Sequence, residues 1–126
     1  MTRIRHRWVD ELLEKAAEDS EVMAVILFGS SIRGEQARDI DVCLVLYPKK
    51  ETRGFEKRME YSGHHLLDVQ VFQDLPLYVR QRVLKEGEIV LCKDWDMLYD
   101  MAFDSIREFE YFKPRYREYL EGVLHG

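Results

Sequence analysis

The sequence predicts an α/β fold, bordering on α+β, in which a mixed four-stranded sheet is flanked by helices. Two apolar runs, Val22–Phe28 and Ile40–Leu46, have the length and the β-branched content of buried strands. Two further strand-like runs, at 65–72 and 88–93, alternate with segments of helical periodicity. This order of helices and strands indicates one layered domain that spans residues 1–126.

The composition predicts a single globular core with an acidic surface. The chain has 126 residues, of which 46% are hydrophobic, and 19 basic against 24 acidic residues give a net charge of −5. That charge argues against non-specific nucleic-acid binding, which depends on clustered Lys and Arg. No apolar run reaches the roughly 18 residues of a membrane span, so we expect a cytoplasmic protein with no membrane role. Cys43 and Cys92 lie in apolar runs, which predicts reduced thiols rather than a disulfide.

The elements around the two central runs follow from periodicity and from chain breakers. Residues 5–19 have apolar residues on one helical face, and Pro48 ends the second central strand. The charged segment 49–60 can form a short helix over 54–60. Its Lys and Arg residues are interleaved with Glu, which favours a solvated face. The alternative is that these cations reach the triphosphate of a substrate.

The third strand, 65–72, carries a carboxylate among apolar residues. Asp68 stands in the middle of this run, and a lone carboxylate in a buried strand needs a partner. If the strand lies beside Ile40–Leu46, Asp68 joins the carboxylates at the start of that strand. Otherwise Asp68 is a salt-bridged residue at the edge of the sheet.

Residues that typically begin and end a helix precede the fourth strand. We predict that Asp74 caps a helix with Pro76 in its first turn, and that Gly87 ends this helix. The run 88–93 then forms an edge strand.

A long helix closes the chain, capped by Asp94 or Asp96. Its predicted sheet-facing stripe consists of Trp95, Leu98, Ala102, Ile106, Phe109 and Phe112. Pro114 is expected to kink or interrupt the helix. Four aromatic residues lie off the stripe, either as additional core or as a surface for a partner: Tyr99, Phe103, Tyr111 and Tyr119.

The segment between the two central strands has the features of a metal–nucleotide site. Asp39 and Asp41 project to the same face of a strand about 7 Å apart, and a divalent cation relieves the repulsion between them. Gly29 permits a sharp turn and close approach to a ligand, and Ser30 offers a hydroxyl and an amide at the start of a short helix over 31–36. A P-loop is excluded because Glu35 stands where the phosphate-binding Lys is required, and no G-x-G-x-x-G occurs.

These residues resemble a known family. Gly29-Ser30, the following segment with Arg33 and Gly34, and then Asp39-Ile40-Asp41 are similar to the signature of polymerase-β-type nucleotidyltransferases. The resemblance is specifically to the small minimal nucleotidyltransferase group, and it extends to the segment from Pro76 to Leu91.

The resemblance implies the roles of the site residues. Asp39, Asp41 and Asp68 would be the catalytic and metal-binding carboxylates, since Asp68 falls where the family has its third carboxylate. Four residues would bind the phosphates of the nucleotide: Gly29, Ser30, Ser31 and Arg33. The implied cofactor is Mg²⁺, as two ions, and the implied substrate is ATP.

The resemblance also implies a partner. Similar minimal family members are paired as antitoxins with an all-helical HEPN toxin, and some transfer AMP to a tyrosine of that toxin. We therefore expect a protein adenylyltransferase with a HEPN partner, in a homo-oligomer or a hetero-oligomer. Two alternatives stay open: transfer of a nucleotide to a small hydroxylated molecule, and a catalytically idle module that sequesters the toxin.

Overall fold

Four strands form one mixed sheet at the centre of the molecule. The computed structural model describes residues 7–29, 40–49, 53–63 and 67–125. The strands are β1 Val22–Phe28, β2 Ile40–Leu46, β3 Leu67–Val71 and β4 Glu88–Cys92, in the spatial order β3-β2-β1-β4. β1 is antiparallel to β2 and to β4, whereas β2 and β3 are parallel. The predicted fold class, the edge position of β4 and the pairing of β3 with β2 are confirmed.

Helices cover both faces of this sheet. They are α1 Arg7–Glu18, α2 Gly54–Tyr61, α3 Leu77–Glu86 and α4 Trp95–His125, with a 3₁₀ turn at Phe72–Asp74. In the described part of the chain, no helix is both long enough and apolar enough to cross a membrane.

The two central strands are apolar throughout because both of their faces are buried. Along β2, Val42 and Leu44 pack with α1 in one core cluster, whereas Cys43 and Val45 pack with residues of α3 and α4 in the other. This alternation is the two-residue period of a strand with a helix layer on each side. Burial also raises the pKa of the Cys43 thiol well above its ordinary value. Cys43 and Cys92 are both free thiols, as predicted.

The start of α3 differs from the prediction. Asp74 lies in the 3₁₀ turn rather than at the N-cap, and Pro76 is the N-cap residue rather than part of the first turn. The turn is closed by a hydrogen bond from the Leu75 amide to the Phe72 carbonyl (3.1 Å). Arg80 also donates to carbonyls of this turn, including that of Gln73 at 2.6 Å. Backbone and guanidinium donors therefore organise this connection, so it does not need a carboxylate cap.

The buried stripe of α4 also differs from the prediction. Leu98 and Ser105 are buried and Met101 packs against the same core cluster, whereas Trp95 is 49% exposed and Ile106 is 36% exposed. One residue along the helix, or a rotation of about 100°, separates these two faces. The apolar pattern alone favours the wrong face because large apolar side chains lie on both. α4 continues through Pro114 without interruption.

The charged segment 49–60 is exposed, as predicted, at Lys49, Arg53 and Arg58 but not at Lys57. Lys57 is only 2% exposed, and its Nζ lies 2.9 Å from Asp19 and from Glu21 and 3.1 Å from Glu60. Arg53 also binds Glu21, at 2.9 Å. Asp19 and Glu21 precede β1, whereas Gly29 follows it, so a strand of seven residues, roughly 23 Å long, separates their ion pairs from Gly29. Arg53 and Lys57 are therefore committed to holding α2 against the turn after α1.

Candidate active site

Gly29 and Asp41 meet where β1 ends and β2 begins. Asp41 is the register partner of Phe28, and Gly29 follows with a left-handed backbone at φ +89°. A Cβ placed on Gly29 would lie 1.9 Å from Oδ2 of Asp41, so the carboxylate occupies the space that a side chain would fill. Glycine is required here for its conformation and for its lack of volume.

Asp68 joins Asp41 through the parallel register of β2 and β3. The two residues are Cα partners in that ladder, and neighbouring strands lie about 4.8 Å apart. Asp41 alternates with Val42, and Asp68 with Val69, both of which pack in the cluster on the α1 side. Both carboxylates therefore lie on the opposite face of the sheet, under α3.

Gln70 is a residue of this site that the sequence reasoning missed. Its Nε2 donates a hydrogen bond of 3.0 Å to Oδ1 of Asp68, and it lies two positions further along the same strand. The signal was present in the sequence, since residues i and i+2 of a strand share a face.

An open cleft of about 500 Å³ lies over the two carboxylates. The sheet contributes Phe28, Gly29, Asp41, Asp68 and Gln70, and the segment leading into and along α3 contributes Leu75, Val79, Arg82 and Glu86. The cleft thus has the carboxylates of Asp41 and Asp68 on its sheet side. Its helix side carries the apolar residues Leu75 and Val79 and the cationic Arg82. Helical spacing connects Val79, Arg82 and Glu86, but only the packing of α3 on the sheet identifies the cleft they face.

The structure brings together three of the seven predicted site residues: Gly29, Asp41 and Asp68. The other four, Ser30, Ser31, Arg33 and Asp39, lie outside the described residues, as does the predicted short helix 31–36. Within the described ranges, no three His, Cys, Asp or Glu side chains are grouped as a metal site. Among the described residues that line the cleft, Asp41 and Asp68 are the paired carboxylates of the sheet, and Glu86 adds a carboxylate from α3.

A family comparison identifies the fold. The model of the polymerase beta nucleotidyltransferase family matches residues 10–96, which include both carboxylate-bearing strands. The chain belongs to the polymerase beta nucleotidyltransferase family. Among curated protein sequences, none matches it significantly.

Solved structures share the architecture over nearly the whole chain. A toxin–antitoxin crystal structure with AMP-PNP contains a similar chain, with 17% identity, a TM-score of 0.72, and coverage of 96% of this chain and 99% of that chain. A complex of a tri-AMPylated Shewanella oneidensis HEPN toxin with an MNT antitoxin contains another, with 15% identity, a TM-score of 0.66 and coverage of 92% of both chains. A candidate nucleotidyltransferase from Sulfolobus solfataricus is 26% identical over 69% of this chain and 79% of that chain, with a TM-score of 0.51.

Proposed function

We propose that residues 1–126 act as a single metal-dependent nucleotidyltransferase domain that transfers AMP from ATP to a tyrosine hydroxyl of a HEPN-type toxin. In this role the chain is the antitoxin of the pair. The observation that carries the proposal is the pairing of Asp41 with Asp68 in register, directly beside the left-handed Gly29. Membership of the nucleotidyltransferase family supports the reaction class.

The donor set of the cleft fits a divalent metal ion. Asp41 and Asp68 offer hard oxygen ligands, and carboxylate-only sites that also use substrate phosphates suit Mg²⁺. We assign Asp39 as the third carboxylate on the basis of the Asp39-Ile40-Asp41 sequence. When bound, Mg²⁺ supplies positive charge that offsets the negative charge of the triphosphate.

The residues of the chain then position the two reactants. The amide of Gly29 and the hydroxyl of Ser30 hold the β- and γ-phosphates, with Ser31 and Arg33 as further phosphate ligands. The tyrosine oxygen attacks the α-phosphorus, the bond to the β-phosphate oxygen breaks, and pyrophosphate leaves. Asp68 accepts the hydroxyl proton, while Gln70 holds Oδ1 of that carboxylate. Positioning and charge neutralisation dominate such transfers.

The structural neighbours support a toxin as the acceptor. One is a toxin–antitoxin complex with AMP-PNP, and another pairs an MNT antitoxin with a HEPN toxin that carries three AMP groups. Each of these likenesses covers more than nine-tenths of the present chain. The net charge of −5 is also consistent with a protein acceptor rather than with RNA or DNA.

The test is incubation with α-labelled ATP and the purified protein encoded by the adjacent gene, with Mg²⁺ or with excess EDTA. We expect label on a tyrosine of that protein with Mg²⁺ and none with EDTA. Label on an added small hydroxylated molecule, with the toxin unlabelled, would instead identify a small-molecule transferase. Tight binding of the toxin without any transfer would identify a sequestering module. Either result would overturn the proposed reaction.

A further inference from the structure

The first turns of α4 carry a row of exposed aromatic side chains. Trp95, Tyr99 and Phe103 are spaced four residues apart, so they lie along one face of the helix. They are 49%, 55% and 61% exposed, and the ring centroids of Trp95 and Tyr99 are 6.0 Å apart. We call these three residues the aromatic ridge.

A row of carboxylates runs beside the aromatic ridge. Asp96, Asp100, Asp104 and Glu108 are also spaced four residues apart, are all exposed, and form what we call the acidic ridge. The sole ion pair that involves the acidic ridge, within the part of the chain that the structure describes, joins Asp104 to Arg107. Between residues 95 and 106, α4 contains no other charged side chains than acidic ones.

The opposite face of the same turns is anchored in the core. Leu98 and Ser105 are buried, and Met97 and Met101 pack against the core cluster on the α3 side of the sheet. The two ridges are therefore presented by a helix that the fold already holds in place. A preorganised surface loses little conformational freedom on association.

The exposed apolar area of the aromatic ridge reaches the size of the largest apolar patch on a typical monomer. Three aromatic side chains of about 150–250 Å² each, roughly half exposed, leave about 300 Å² of aromatic surface to water. An apolar patch of that size on a monomer is often functional. Trp and Tyr are also enriched among the central residues of protein interfaces, and the rim around them is polar.

We propose that the two ridges form the docking surface for the toxin, and that the toxin offers an apolar groove rimmed by Lys and Arg side chains. This inference rests on the proposed function, because it assigns the face through which the AMP acceptor is held. The acidic ridge selects a basic partner and repels nucleic acid. It also disfavours a second copy of this chain, since packing ridge on ridge would bring the carboxylates of both copies together.

Two pairs of matched variants test this assignment. Phe103→Ala is compared with Phe55→Ala, since Phe55 is a 70% exposed phenylalanine on α2. Asp100→Lys is compared with Glu14→Lys, which makes the same change of charge on the exposed face of α1. Binding to the purified protein of the adjacent gene is measured by calorimetry at low and high salt. AMP transfer is measured in parallel, and the mass of the chain alone is measured by light scattering.

We expect Phe103→Ala and Asp100→Lys each to weaken binding by about tenfold or more, with both control variants close to wild type. The Asp100→Lys loss should shrink at high salt. If Phe103→Ala and Asp100→Lys bind the toxin as tightly as their control variants, and wild type still labels the toxin, the assignment of the docking surface is wrong. The proposed function would then remain intact. A wild type that neither binds nor labels the toxin would overturn both. A dimer of the chain alone that Phe103→Ala dissociates would make the occupant a second copy and overturn the proposed partner.

Discussion

Gly29 is the residue on which the shape of the cleft depends most directly. Its φ of +89° is costly for any residue with a Cβ, by about 1–2 kcal/mol, and an added Cβ would meet the Asp41 carboxylate. We expect Gly29→Ala to lower the rate of AMP transfer by about a hundredfold, because a small displacement of a positioning group has effects of that size. The rate is measured with α-labelled ATP, and the melting temperature is measured alongside.

Gly63→Ala is the matched control for this change. A Cβ on Gly63 would meet no atom within 4 Å, and its backbone is not left-handed. We expect this variant to retain both transfer and melting temperature. A Gly29→Ala protein with the wild-type rate would show that the contact between Gly29 and Asp41 does not position the site.

The sequence predicted the proximity of two candidate site residues where strand pairing brings them together. Asp41 and Asp68 were assigned to one site from their strand positions, and the register confirms that they are neighbours. Gln70 was missed although it shares a face with Asp68, because an amide in a strand carries no chemistry of its own. Lys57 was predicted on a solvated face, since charges interleaved along a helix do not reveal which of them is buried against carboxylates of another element.

Among the helices and strands, α2 depends most on ion pairs for its packing against the rest of the fold. Hydrogen bonds from Lys57 and Lys49 lower the pKa of Glu21 to about 2. Partial burial works to raise the pKa of Asp19, but hydrogen bonds from the Glu21 amide, Lys57 and Tyr61 outweigh it and lower that pKa to about 2. Carboxylates with lowered pKa values stabilise the fold above their unfolded pKa values, 3.8 for Asp19 and 4.5 for Glu21, and lose that contribution on acidification.

We therefore expect the free energy of unfolding to fall as the pH drops from about 4.5 to about 2. Lys57→Met should flatten this dependence, because it removes a cation that lowers both pKa values. It should cost about 3 kcal/mol at neutral pH, because three carboxylates lose the buried cation that they share. Denaturant unfolding across the pH range measures both effects. Lys85→Met, at an exposed site on α3, is the control. An acid dependence that Lys57→Met leaves unchanged would contradict the assignment.

The start of α4 depends on a single cap. The Met97 amide donates a hydrogen bond of 3.0 Å to Oδ1 of Asp94, which settles the alternative of Asp94 or Asp96 in favour of Asp94. We expect Asp94→Ala to lower the free energy of unfolding by about 1 kcal/mol. Asp96 lies two residues later, in the first turn of α4. Asp96→Ala should therefore cost only about 0.3 kcal/mol, through the helix dipole. Equal losses in urea unfolding would show that the cap does not stabilise the helix.

At the scale of the whole molecule, the sequence predicted the sheet better than the helix layers. Strands buried on both faces leave continuous apolar runs, and breakers such as Pro48 and Gly87 mark where elements end. The orientation of α4 was wrong because large apolar side chains lie on its buried and its exposed faces alike, so periodicity cannot choose between them. The cleft itself could not be predicted, since Arg82 and Asp68 become neighbours of one cavity only when α3 packs on the sheet.

The proposed reaction depends on the carboxylate pair of the cleft. The most direct measurement compares Mg²⁺-dependent transfer of AMP to the toxin by wild type, Asp41→Asn and Asp10→Asn, with melting temperatures recorded for each. Asp10 lies on the exposed side of α1 and undergoes the same chemical change. We expect Asp41→Asn to lose at least about a hundredfold in rate while it stays folded, and Asp10→Asn to retain the wild-type rate. A folded Asp41→Asn protein that labels the toxin at the wild-type rate would contradict the proposed site.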